Sequence, residues 1–296
     1  MDVFVFQMGK VGSSAITGAL QNRGIDAVQM HWLGRKTLIG TLEQSLLNVE
    51  VEAPLEVHGI EEFNRNIQNT RTLYWYRRHK RRDGNRLKII TLVRDPLDWY
   101  WGHLAENFDF YESEIRDWYS RVNNQEPSSV DLDEATRVFH EALFSGFGKI
   151  RRSIDHPRFD LKAAKQAYKG ISVPFLPQQI MKLRLPTAWF DVFFKPEIGI
   201  DVYQKPFDAS AGMTEFENDF ARVLLIRYEN LENCADAIGR FVGLDGLSLE
   251  RVNVSSQKRT SVNLPRLRSG IDPDPRALKK LYGSRYCRHF GYAHRA

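Results

Sequence analysis

Residues 7 to 14 read Gln-Met-Gly-Lys-Val-Gly-Ser-Ser, which places one lysine between two glycines and follows them with two hydroxyls. Glycines let a backbone close around an anion, and the first N–H groups of a following helix point at it, so Gly9, Lys10, Val11, Gly12, Ser13 and Ser14 are candidate phosphate ligands. Lys10 adds a cation that could stabilise charge on a leaving oxygen. The order of residues excludes a regular ATP or GTP loop, in which four residues separate the first glycine from a Gly-Lys-Ser/Thr end; here Lys10 precedes Gly12. His31 is the leading candidate for a general base, because imidazole titrates near neutrality and the residue ends an apolar run. Arg94, in Arg94-Asp-Pro, is a third candidate, again at the end of an apolar run.

These residues need a frame. Val3 to Met8, Ala27 to Met30, Lys88 to Val93 and Arg222 to Tyr228 read as strands. The first leads into a helical pattern (Ile16, Ala19, Leu20) closed by Gly24, and the last leads into a helix through about Phe241. Strands alternating with helices predict an α/β chain: a parallel central sheet flanked by helices, with ligands at the carboxyl ends of the strands. Lys10, His31 and Arg94 all fall at such ends. From about 106 to 182 the pattern is helical, with Val138, Phe139, Ala142, Leu143 and Phe147 at helical spacing, and reads as an insertion covering the site. Asp274 to Tyr292 reads as a closing helix, and the whole of 1–296 as a single domain.

The balance of 42 Lys+Arg against 37 Asp+Glu gives a formal charge of +5, which suits an anionic ligand without demanding nucleic acid. Two cysteines, Cys234 and Cys287, lack CxxC spacing, so neither a disulfide framework nor a structural zinc site is expected, and no cluster of ligating side chains suggests another metal. No apolar run approaches the roughly 20 residues that span a bilayer. The first strand follows Met1 closely, and the expectation is a soluble cytoplasmic protein.

The chain resembles the sulfotransferase superfamily, whose donor is 3′-phosphoadenosine 5′-phosphosulfate (PAPS). Gly9-Lys-Val-Gly-Ser-Ser is similar to that superfamily's 5′-phosphosulfate loop, Arg94-Asp-Pro to its 3′-phosphate element, and Leu224-Leu-Ile-Arg-Tyr-Glu-Asn-Leu to a third shared segment. More narrowly, Gln7 to Ser14, Lys195-Pro-Glu-Ile-Gly-Ile-Asp-Val-Tyr and Tyr286-Cys-Arg-His-Phe-Gly-Tyr resemble a bacterial group of capsular polysaccharide synthesis proteins. The resemblance implies a P-loop-like sulfotransferase fold and a carbohydrate or glycolipid acceptor. It also implies a 3′-phosphate held by Arg94 and by a late basic loop containing Lys258 and Arg259. One departure stands out: the serine expected on the helix after Arg94 falls at Gly102.

Competing readings accompany each motif. His58, Glu61 and His103 are reserve bases. The run Tyr74-Trp-Tyr-Arg-Arg-His-Lys-Arg-Arg reads first as a solvated loop with an aromatic foot in the core, and second as a polyanion grip; Trp99, Tyr100 and Trp101 read as helix packing. Two functional rivals share the same loop: a nucleotide-dependent kinase, which would need strand-end Mg²⁺ ligands, and a catalytically silent polyanion-binding protein.

Overall fold

The computed structural model describes residues 3–47, 57–79, 86–156, 158–249, 268 and 270–293. It is an α/β structure with a mostly parallel five-stranded sheet in the order β2-β1-β3-β5-β4. The strands are β1 (Val3–Phe6), β2 (Ala27–Met30), β3 (Leu87–Val93), β4 (Met213–Glu217) and β5 (Ala221–Arg227). The chain divides into two compact units, one of residues 1–92 and 190–250 and the other of 93–189 and 251–296.

In the first unit β1 is buried along its whole length because it is covered on both faces, which is why it reads as an unbroken apolar run. Burying Phe4 and Phe6 contributes about 1.5–3 kcal/mol each. β1 pairs in parallel with β2 and with β3, and the register sets Phe6 opposite Met30. The residues that follow, Gln7 and His31, are therefore neighbours at the ends of adjacent strands, and Gln7 N donates to Met30 O at 3.2 Å. Helix α1 (Ser13–Gln21) packs on β1 and β2. Two further helices, α2 (Arg35–Leu47) and α3 (Val57–His79), precede β3.

Two features of this unit depart from the sequence reading. The edge strand β4 runs antiparallel to β5 through a tight turn in which Asn218 Oδ1 accepts from Phe220 N and Ala221 N, so the sheet is not wholly parallel. The ring-and-cation run is not a loop through His79 but the end of α3. Its rings are not seated in the core, since Tyr74 is 39% and Trp75 48% exposed. Arg77 explains the run's place: its guanidinium lies over the Tyr74 and Phe220 rings and donates to Glu197 O.

The second unit is helical in its described parts: α4 (Pro96–Glu106), α5 (Phe108–Asn123), α6 (Leu132–Lys149), α7 (Leu161–Lys165) and α8 (Leu176–Trp189). The expected closing helix is two helices, α11 (Pro275–Tyr282) and α12 (Arg285–Phe290), parted at Gly283-Ser284, where Ser284 caps the second by accepting from Cys287 N. α6 packs on α5 and α11, and α8 on α4 and α12. Phe139, Leu143 and Phe147 form the buried stripe of α6. Trp99, Tyr100 and Trp101 are buried, in keeping with helix packing. The first unit also contains α9 (Lys195–Ile198) and α10 (Ala235–Val242). Among the described residues no helix is long and apolar enough to cross a membrane.

Candidate functional site

The loop after β1 is built from left-handed backbone: φ is 84° at Gly9, 55° at Lys10 and 80° at Gly12. Gly12 is the residue preceding α1, and no side chain caps that helix. The first N–H groups of a helix have no intrahelical acceptor, so those of Ser13 and Ser14 are suited to an anion. A side chain at Gly12 has no room: its Cβ would stand 2.8 Å from Leu231 and 3.0 Å from the Tyr228 ring. Both belong to the Tyr228–Cys234 turn after β5, so the segment singled out as Tyr-Glu-Asn-Leu braces the loop from beneath.

Gln7, fully buried, organises the rest. Its side-chain oxygen accepts from Gly9 N, which commits that N–H to the protein and fixes the amide's orientation. The amide nitrogen then donates to Ser13 Oγ at 2.8 Å and faces His31 Nδ1 at 3.0 Å. His31 Nδ1 also lies 3.1 Å from the main-chain oxygen of Gln7. These two partners select opposite forms of the imidazole. An amide N–H donated to Nδ1 leaves the proton on Nε2, whereas Nδ1–H donated to the carbonyl puts the basic lone pair on Nε2, which the Gln29 side-chain nitrogen approaches at 3.5 Å. The ring rests on Gly9, where an added Cβ would be 3.9 Å from its Cε1. Gln29, from β2, accepts from Ser14 Oγ at 3.2 Å. The structure thus brings Lys10 and Val11 into one loop with Gly9, Gly12, Ser13 and Ser14, and sets His31 against it. The sequence reading passed over Gln7 as a working residue, although a glutamine ending an otherwise apolar strand was a legible signal.

In the second unit, Arg94-Asp-Pro resolves into separate jobs. Asp95 caps α4, accepting from Leu97 N at 2.9 Å and Asp98 N at 3.0 Å, and Pro96 is the first helical residue. Burial raises the Asp95 pKa against the lowering effect of those hydrogen bonds. Tyr282 donates to the same carboxylate at 3.0 Å. Two of the three motif residues are therefore accounted for by helix initiation. The Arg94 backbone is clamped by the buried Tyr286, whose hydroxyl accepts from Arg94 N at 3.0 Å and donates to Arg94 O at 2.8 Å. The guanidinium lies over Gly102, whose Cβ would stand 3.2 Å from Nη1. The missing serine is thus the place where the arginine side chain passes close to the helix.

The remaining candidates separate. Glu61 is exposed on α3, and His103 stacks on the Trp99 ring at 5.4 Å. Lys258, Arg259 and the His58 side chain lie outside the described residues. The segment from Lys195 is a self-capped turn: Lys195 pairs with Asp201 at 2.7 Å, and Asp201 also accepts from Tyr203 N. Glu197 within it was not singled out by sequence. Its carboxylate lies directly against Gly34, and burial raises its pKa while the Arg77 charge lowers it. Cys234 and Cys287 are both free and buried, with the Cys287 thiol pushed up to about 12 chiefly by burial.

Residues 175–292 match the family described as NKWYS: Putative capsular polysaccharide synthesis protein. That stretch contains the Lys195 and Tyr286 segments but neither the Lys10 loop nor Arg94. No curated protein and no solved structure matches the chain.

Proposed function

We propose that the chain transfers a sulfuryl group from PAPS to a hydroxyl of a carbohydrate or glycolipid. The observation that carries the reading is the loop of three left-handed residues opening an uncapped helix, with an imidazole held against it by Gln7. Such a loop fits a phosphosulfate, whose oxygens can be met by the Ser13 and Ser14 N–H groups and the Lys10 ammonium. In the reaction the donor supplies sulfur as electrophile: a bond forms from the acceptor oxygen to sulfur as the bond from sulfur to the bridging phosphate oxygen breaks, releasing the 3′,5′-bisphosphate. Lys10 and the loop N–H groups stabilise the charge gathering on that oxygen, the larger share of such catalysis. His31, in the form with Nδ1–H donated to the Gln7 carbonyl, takes the acceptor proton at Nε2. Arg94 is assigned the donor's 3′-phosphate by its resemblance to the superfamily's element. The similarity of residues 175–292 to capsular polysaccharide synthesis proteins supports a sugar acceptor.

Calorimetric titration of the full chain tests the donor. The 3′,5′-bisphosphate is expected to saturate it, and its analogue lacking the 3′-phosphate to bind more weakly. Saturation by ATP with Mg²⁺ and not by the bisphosphate would overturn the reading in favour of a kinase. His31→Ala is expected to keep bisphosphate affinity within a few-fold and to lower turnover roughly a hundredfold, with loss of the acidic limb of the pH–rate profile. Loss of donor binding and of thermal stability together would make His31 a packing residue.

A further inference from the structure

From Lys149 to Lys169 the chain carries seven lysines and arginines against two aspartates, a net +5 equal to the formal charge of the whole protein, so the rest of the chain balances to zero. Both aspartates are engaged locally. Asp155 accepts from Ser153 Oγ and Arg285 N, and Asp160 accepts from Lys162 N and Ala163 N at the start of α7. Lys149, Arg151 and Arg152 have no carboxylate partner among the described residues. A lysine in the last turn of a helix is expected from the helix dipole, but Arg151 and Arg152 lie beyond the end of α6 and have no such reason to be there.

These three cations line a cleft of about 570 Å³ within the second unit, together with one carboxylate, Asp160, which is engaged by the α7 backbone, and an apolar surface that includes Ile150, Phe159 and Ala164. The wall is built rather than loose. The buried Arg184 of α8 donates to Ile154 O at 2.7 Å and His156 O at 3.0 Å and lies 4.7 Å over the Phe159 ring, which fixes the segment between α6 and α7.

We propose that this cleft binds an acidic oligosaccharide, separately from the phosphate loop. Cations along the wall match carboxylate, sulfate or phosphate substituents, and the small apolar floor matches the C–H faces of sugar rings. A single nucleic-acid strand would want several aromatic platforms; among the described residues the cleft offers Phe159 alone, with one face covered by Arg184. The choice of a sugar rests on the acceptor class proposed above, while the anion rests on the cleft itself.

The test is calorimetry on the full chain without donor, using a sulfated hexasaccharide, a neutral dextran of equal length and a single-stranded oligonucleotide of equal charge. The hexasaccharide is expected to bind more tightly than the other two. Arg151→Ala with Arg152→Ala should weaken it at least tenfold, the order expected for losing two charge-assisted contacts. Ala163→Trp, which fills the cleft and leaves the charge unchanged, should weaken it similarly, with thermal stability of both variants checked in parallel. Equal binding of the Ala163→Trp protein would overturn the cleft in favour of diffuse surface charge. Tighter oligonucleotide binding would overturn the sugar, and no binding of any anion would overturn both. Lys10→Ala keeps the outcome distinct from that of the donor reading, because it leaves hexasaccharide binding intact if the two sites are separate and abolishes it if the phosphate loop is what binds the anion.

Discussion

Lys10 sits at φ 55°, a conformation that a side-chain-bearing residue adopts at a cost of order 1–3 kcal/mol and that glycine adopts freely. A lysine retained there is consistent with a side chain kept for function rather than for the fold, and this separates two substitutions usually treated as equivalent. Lys10→Gly should raise thermal stability relative to Lys10→Ala, because it removes the strain. Both should lose turnover alike, because both lose the ammonium. Wild-type turnover in the glycine variant would sink the assignment. Gly102 gives the companion prediction. Its Cβ would meet Arg94 Nη1 at 3.2 Å, closer than an ordinary contact, so the guanidinium must give way by a few tenths of an ångström. Gly102→Ala should therefore weaken the 3′,5′-bisphosphate several-fold without affecting the analogue lacking the 3′-phosphate. Restoring a serine carries the same displacement. Unchanged discrimination in Gly102→Ala would separate Arg94 from the 3′-phosphate.

At the scale of elements, burial decided what the sequence disclosed. β1, β3 and β5 are covered on both faces and read as apolar runs, and α6 buries Phe139, Leu143 and Phe147 at helical spacing. β4 alternates weakly and carries two glutamates, so as an exposed antiparallel edge it left no comparable trace. The end of α3 was misread because its cations suggested solvent, whereas Arg77 is spent on Glu197 and two rings. The candidate loop was legible because its glycines must be glycine, but the Gln7 network was not, since the pairing that brings His31 beside it is long-range. α6 also carries the clearest pH-sensitive group. His140 is fully buried, Nδ1 facing Thr136 O at 2.7 Å with Nε2 unpartnered among the described residues, and burial pushes its pKa down to about 4. The folded value lies below the unfolded value of 6.5, so the unfolded chain binds the proton first as pH falls. The stability is present above pH 6.5 and lost progressively towards pH 4, by about 3 kcal/mol in all. His140→Phe keeps a ring beside Trp101 and Phe144 and should flatten the fall of melting temperature across that window. An equally steep fall in the variant would assign the acid sensitivity elsewhere.

At the scale of the molecule, the chain leaves its first unit at Leu92 and returns to it at Phe190. That return was invisible to a local reading, because it is defined by contacts between residues far more than a hundred positions apart. It supplies β5, the neighbour of β3, and Phe194, which stacks on Phe6 of β1 at 5.7 Å. The consequence bears on the matched segment 175–292, which begins one residue before α8 of the second unit and carries β4 and β5 of the first without β1, β2 or β3. An isolated β4–β5 pair would present both buried faces of β5, which carry Val223, Leu224, Leu225 and Ile226, with no strand on its other edge. Two-stranded pairs are marginal in water, and an apolar unpaired edge recruits other chains. The fragment 175–292, expressed alone, should therefore be aggregated or lack a cooperative melting transition, whereas the full chain should melt cooperatively and remain soluble. Co-expression with residues 1–174 should recover solubility if the missing strands are what the fragment lacks. A fragment that is monomeric and melts cooperatively by itself would show that residues 175–292 form an independent folding unit and that the division into units at Leu92 and Phe190 is wrong.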